Sequence, residues 1–141
     1  MILVDTNVLV AAARTADTNH DAAARLLESL DEPLLVPPTV LAEVCYLLDE
    51  WGGPDAEVRF LGDFRPGGLQ LAELTPADVA RMADLVERYA DLRLGWTDAS
   101  VVAIAERLRI ARIATFDRRH FTVVRPTHVV AFTLLPEVAS S

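Results

Sequence analysis

Apolar residues in this chain come in short runs, set between longer stretches that repeat with helical period. Ile2-Leu3-Val4, Leu34-Leu35-Val36 and Ile113-Ala114-Thr115 are such runs. Short strands alternating with helices select an α/β domain with a largely parallel sheet, because parallel neighbours need a crossover between them. Strands are expected at Ile2–Asp5, Leu34–Val36, Leu69–Ala72, Ile113–Thr115 and Val130–Leu134. Helices are expected over Asn7–Arg14, Asn19–Leu30, Thr39–Glu50, Asp55–Phe64, Pro76–Ala90 and Asp98–Leu108. Gly52-Gly53-Pro54 should separate the third from the fourth. Thr18 or Asn19 is a candidate cap for the second helix, and Thr75 for the one that begins at Pro76.

Length and composition narrow the function. At 141 residues with 52% hydrophobic content, residues 1–141 suit a single domain with a real core. No apolar stretch reaches the roughly 20 residues that span a bilayer, and the first strand lacks the basic region of a secretory signal. A cytoplasmic location, away from membranes, is therefore expected. The single cysteine, Cys45, excludes an internal disulfide and reads as a structural thiol. Net charge is −8, which argues against a broad non-specific grip on nucleic acid. All 13 cationic side chains are arginine. Without lysine there is no Walker A loop and no Schiff-base chemistry. Phosphatase and receiver-type phosphotransfer sites, which also place Asp and Mg2+ at strand ends, lose their usual lysine.

Asp5, Glu43, Asp98 and Asp117 each stand beside a break in an apolar pattern. Asp5 ends the first strand, and Asp117 lies just past the fourth. In open parallel sheets ligands bind beyond the carboxyl ends of strands, so neighbouring first and fourth strands would bring these two acids together. Glu43 lies at the edge of the apolar stripe Val40, Leu41, Val44, Leu47 and Leu48. Asp98 falls inside an apolar face, with Val101, Val102 and Ala105 following at i+3, i+4 and i+7. Each acid alone also reads as a helix cap, a turn residue or a surface charge. Thr6 and Asn7 could cap the first helix in place of Asp5, and Thr97 could cap in place of Asp98. Taken together, clustered carboxylates require a cation, and Mg2+ or Mn2+ suits oxygen ligands.

The four segments Ile2-Leu3-Val4-Asp5-Thr6-Asn7, Thr39-Val40-Leu41-Ala42-Glu43, Leu94-Gly95-Trp96-Thr97-Asp98-Ala99 and Ile113-Ala114-Thr115-Phe116-Asp117-Arg118-Arg119-His120-Phe121 carry a resemblance. In that order and spacing, the chain resembles the PIN-domain ribonucleases, and more closely the VapC-type toxins of bacterial toxin–antitoxin pairs. The resemblance implies a three-layer PIN-like α/β fold, with a mostly parallel sheet of about five strands flanked by helices. It implies Mg2+- or Mn2+-dependent endonuclease activity on RNA, leaving 5′-phosphate and 3′-hydroxyl ends. Asp5 and Asp98 would then hold the ion directly, with Glu43 and Asp117 acting directly or through water. Thr6 matches the hydroxyl residue that usually follows the first acid, and with Asn7 supports the site. Trp96 departs from the aliphatic residue more usual at its position. A VapB-like antitoxin and a homodimer are the implied partners. A non-catalytic PIN-fold interaction module is the alternative.

Other polar residues carry less. Arg14, Arg112, Arg118, Arg119 and Arg125 are candidates for a basic rim that contacts RNA. Arg118 and Arg119 lead because they follow Asp117. His20 and His120 read as packing or surface residues before proton carriers. Trp51 reads as core or interface, and Trp96 as a base-stacking candidate.

Overall fold

The computed structural model describes residues 1–137. Its sheet has the order β3-β2-β1-β4-β5, with every neighbouring pair parallel. The strands are β1 (Ile2–Val4), β2 (Leu34–Val36), β3 (Leu69–Leu71), β4 (Arg112–Ala114) and β5 (Thr133–Leu135). Six helices flank them: α1 (Thr6–Ala13), α2 (His20–Ser29), α3 (Pro38–Leu61), α4 (Pro76–Arg88), α5 (Trp96–Leu108) and α6 (Arg118–Val123). This is the three-layer α/β architecture. β1 is central, and Ile2, Leu3 and Val4 are fully buried. It pairs with β2 on one side and β4 on the other, so the chain's winding reverses between β1 and β4. That reversal is the switch point where open α/β sheets place their ligands.

The helices follow from local chemistry. Thr75 accepts from the Asp78 amide, and the Asp78 carboxylate accepts from the Thr75 amide, so a reciprocal capping box starts α4. Asn19 occupies the cap position of α2 without a side-chain bond. Instead the Asp17 carboxylate accepts from the Asn19 amide at 2.8 Å. The two helices expected on either side of Gly52-Gly53-Pro54 are both present within α3, Pro38–Leu61, and the helical backbone breaks between them at Gly53. Gly53 sits there at φ +67°, ψ −164°, a conformation only glycine adopts readily, and Pro54 cannot continue the amide ladder. α5 is the most deeply set helix: every residue from Ala99 to Ala105 is buried. Cys45 is half-buried against the core.

Two expectations shift. β5 begins at Thr133 rather than Val130, which is 91% exposed and lies in an irregular stretch. β4 offers only the three residues Arg112–Ala114 to pair with, and that length limits its partner. The segment after Asp117, expected only to begin a turn or helix, forms α6. Asp117 is its cap, accepting from the Arg119 amide at 3.2 Å.

Candidate active site

β1 and β4 run side by side, with Val4 opposite Ala114, and the Asp5 amide donates to the Ala114 carbonyl at 2.9 Å. The residues just beyond the two strands therefore meet. Asp5 is buried, 4% exposed, and three donors hold its carboxylate. Oδ1 accepts from the Thr6 amide at 2.8 Å; Oδ2 accepts from the Thr115 hydroxyl at 2.8 Å and from Asn7 Nδ2 at 3.4 Å. Asp5 itself thus caps α1, and neither Thr6 nor Asn7 takes that task. Asn7 straps the strand ends together, its Oδ1 accepting from the Phe116 amide at 3.0 Å. The Thr115 hydroxyl also accepts from the Asp117 amide at 3.0 Å, which fixes the start of α6.

α5 delivers the next acid. Gly95 is its cap, so Asp98 falls in the first turn and no side chain caps the helix. An acid there gains from the helix dipole. Thr97 does not cap: its hydroxyl donates to Glu43 Oε2 at 3.0 Å and orients that carboxylate across from α3. Ser100 Oγ donates to the Thr97 carbonyl at 2.6 Å and adjoins Thr39 Oγ1, which ties α5 to the start of α3. From α6, His120 Nδ1 donates to Asp98 Oδ2 at 2.6 Å and lies 3.8 Å from Asp117 Oδ2.

Asp98, Asp117 and His120 each offer a ligand atom within 4.8 Å of the others. Asp5, Glu43 and Thr6 line the same cleft, whose volume is about 560 Å3. The cleft's electrostatics are unfavourable as they stand. Burial pushes the Asp5 carboxyl up from 3.8 to about 6, with the charges of Asp98 and Asp117 adding, although its hydrogen bonds to Thr115 and Thr6 pull the other way. Burial also raises Asp98, against the His120 hydrogen bond and charge that lower it; Asp117 and Glu43 raise it further.

The donor set fits a hard divalent cation. Carboxylate oxygens dominate it, and among the described residues no arginine forms an ion pair with Asp5, Asp98 or Asp117. The Thr6 hydroxyl, beside Asp5, is buried with no hydrogen-bond partner among the described residues. A buried polar atom left unpaired calls for a ligand or water that satisfies it.

Sequence comparison adds the lineage. The family model described as "PIN domain" matches residues 2–125. Ribonuclease VapC26 of Mycobacterium tuberculosis (strain H37Rv) is 36% identical over 135 residues, which covers 96% of this chain and all of that protein. The chain belongs to the PIN-domain family, in its VapC branch. Solved structures agree on the fold. Mycobacterium tuberculosis VapC20, described as a Sarcin-Ricin loop cleaving toxin, superposes with a TM-score of 0.74 at 23% identity, over 80% of this chain and 87% of that one. VapBC2 from Rickettsia felis, solved with a DNA fragment from their promoter, gives 0.60 at 19% identity over 82% and 86%. FitAcB from Neisseria gonorrhoeae gives 0.57 at 20% over 83% and 88%.

In this PIN domain the four acids expected from sequence, with Thr6 and Asn7, all reach one cleft. The candidate basic rim is dispersed. Arg112 starts β4, at the opposite end of the sheet, where it pairs with Glu32. Arg14 lies over the Trp51 ring, and Arg125 donates to the Thr122 carbonyl. Arg118 donates to the Pro136 carbonyl at 3.0 Å, and Arg119 is exposed. Trp96 lines the cleft and is 58% exposed. His120, expected as a packing or surface residue before a proton carrier, and Thr97, expected as a candidate cap, instead bond cleft acids, and Thr115 was not singled out at all. The one signal for His120 was its position three residues after Asp117, the spacing that puts two side chains on one face of a helix.

Proposed function

We propose that this chain is a Mg2+- or Mn2+-dependent endoribonuclease, the toxin of a toxin–antitoxin pair, acting in the cytoplasm as a single PIN domain. The observation that carries the reading is the meeting of Asp5, Asp98, Asp117 and His120 at the β1–β4 switch point, with Asp5 buried and without a cationic partner. The name of the 36%-identical relative, a ribonuclease, points the same way.

Asp5 and Asp98 would hold the ion directly, with Asp117 and Glu43 holding it directly or through water. When bound, the ion lowers the pKa of a water and offsets charge on the phosphate oxygens, which is what in-line hydrolysis of a phosphodiester needs. The chain's own residues supply position. His120 Nδ1 pins Asp98 Oδ2, Thr97 pins Glu43 Oε2, and Thr115 with the Thr6 amide pins both oxygens of Asp5. Carboxylates fixed in this way need no rearrangement when substrate arrives. Trp96 on the cleft wall and exposed Arg119 are the RNA contacts this reading favours, while Arg118 serves the α6–β5 contact.

A VapB-like antitoxin and a homodimer complete the proposal. Tyr46, Leu47, Trp51, Val58 and Leu61 of α3 are all exposed, an apolar surface that suits protein partners. Sedimentation of the purified protein at micromolar concentration tests the dimer.

Cleavage of single-stranded RNA by wild type and Asp98→Asn, in Mn2+ and after chelation with EDTA, tests the activity. Cleavage that needs both the metal and Asp98 supports the reading. Metal-independent cleavage, or cleavage that survives Asp98→Asn, contradicts it. If neither protein cleaves any RNA, the chain is a binding module with this fold.

A further inference from the structure

Beyond α4 the chain makes one more tight turn. The Leu94 amide donates to the Tyr89 carbonyl at 3.3 Å, and the Arg93 amide to the Ala90 carbonyl at 3.0 Å. This nested pair is the Schellman closure, whose C′ residue takes the left-handed conformation that favours glycine. Leu94, 2% exposed, supplies the buried apolar contact that accompanies it. The C′ residue here is Arg93, at φ +56°. A residue with a Cβ is less stable there than glycine, but Arg109 adopts the same conformation, so the backbone by itself assigns the side chain no use.

Position suggests a use. Among the described residues, Arg93 is the one arginine that lines the cleft, whose lining also includes Asp5, Asp98 and Asp117. The ion pairs of the described residues engage Arg65, Arg81, Arg107 and Arg112 instead. Trp96 follows three residues later on the same cleft. A strand of phosphodiesters entering an acidic cleft needs a cation on its wall, and a guanidinium matches phosphate in two-point geometry. An exposed indole stacks only on a base that is free of its own stack, which selects single-stranded RNA over duplex.

We infer that Arg93 and Trp96 form a grip for single-stranded RNA at the mouth of the cleft, Arg93 on a backbone phosphate and Trp96 on the adjoining base. The inference rests on the nuclease reading of the cleft. Arg109 provides an internal control: it shares the left-handed conformation, at φ +56°, but closes the far end of α5, away from the cleft.

The test is fluorescence anisotropy of the full chain with a short, mixed-sequence, labelled single-stranded RNA. Ca2+ replaces Mg2+, and the measurement is repeated over a salt series and with the matching duplex. Arg93→Gly should weaken binding about tenfold and reduce the slope of log affinity against log salt by about 0.7, the share of one phosphate contact on a single strand. Its melting temperature should equal or exceed that of wild type. Arg93→Lys should keep the salt slope. Trp96→Ala should weaken binding roughly tenfold with the slope unchanged. Arg109→Gly should match the Arg93→Gly melting behaviour and leave RNA affinity alone. Wild-type affinity and slope in Arg93→Gly overturn the inference, as does an equal loss in Arg109→Gly. Wild-type protein that binds no RNA overturns the nuclease reading together with it.

Discussion

Where α4 meets α5, each carboxylate faces an arginine. Asp78, 3% exposed, pairs with Arg107 at 3.0 Å, and Glu106 pairs with Arg81 at 2.7 Å. Where β1 and β4 end, Asp5, Asp98 and Asp117 face one another and a single histidine. Burial acts on both regions, and the outcomes differ. At Glu106 burial pushes the carboxyl up, but the Arg81 bond and charge and the Thr127 amide hold it below its ordinary range. At Asp5 no cation among the described residues answers the burial, and the carboxyl rises to about 6. Paired acids join two helices. Unpaired acids raise the free energy of the fold until something positive arrives, and that difference separates a structural contact from a site.

The two regions should differ most when one acid in the cleft is neutralised. Asp98→Asn should reduce RNA cleavage roughly a thousandfold, the scale lost when one preorganised charge contact is removed. The melting temperature of the metal-free protein should not fall. A cleavage assay beside a thermal melt reads both.

The next effect concerns pH. The folded protein keeps the Asp5 proton up to about pH 6, whereas the unfolded chain releases it near 3.8. Folding stability of the metal-free protein therefore falls as pH rises through that window and stays low above it. The loss is about 3 kcal/mol at 1.36 kcal/mol per pH unit between the two values. Urea melts in EDTA at pH 4 and pH 7, on wild type and Asp5→Asn, should show the variant gaining on wild type as pH rises. A constant gap would mean that Asp5 is not desolvated.

The paired region should respond in the opposite sense. Arg107→Ala leaves buried Asp78 without its partner, and stability should fall by about 2 kcal/mol, because Arg107 is itself partly in solvent. Cleavage per folded molecule should be unchanged. The smallest expected effect belongs to His120. Its Nδ1 orients Asp98, so His120→Ala should weaken Mn2+ affinity about tenfold, the lower end for an outer-shell partner. His120→Asn, which keeps a donor near Nδ1, should recover part of it. Calorimetric titration with Mn2+ checks both.

Much of this was legible in sequence because it depended on local patterns. β2 matched its apolar run residue for residue, and β1 and β4 fell within one residue of theirs. The Thr75 cap and the break at Gly53 followed from residue chemistry that tertiary contacts do not override. The meeting of Asp5 with Asp117 followed once β1 and β4 were taken as neighbours. What sequence could not show depends on docking. The bond from His120 to Asp98 spans 22 positions and exists only because α6 folds over the start of α5. Thr115 reads as a strand former, and its hydroxyl bond to Asp5 spans 110 positions. Val130 carried strand propensity but had no partner residue on β4 to pair with. Arg93 gives no sign in sequence of standing in a position that favours glycine.

If the unpaired carboxylates of the cleft form the proposed divalent-metal site, Mn2+ will stabilise the folded protein. Thermal melting with increasing Mn2+, on wild type and Asp5→Asn side by side, measures that stabilisation. An ion that binds only the folded state adds about 2.7 kcal/mol of stability when present at a hundred times its dissociation constant. Wild type should therefore melt at progressively higher temperature as Mn2+ rises, and Asp5→Asn should lose most of that response. A wild-type melting temperature indifferent to Mn2+, or an equal rise in Asp5→Asn, would contradict the account.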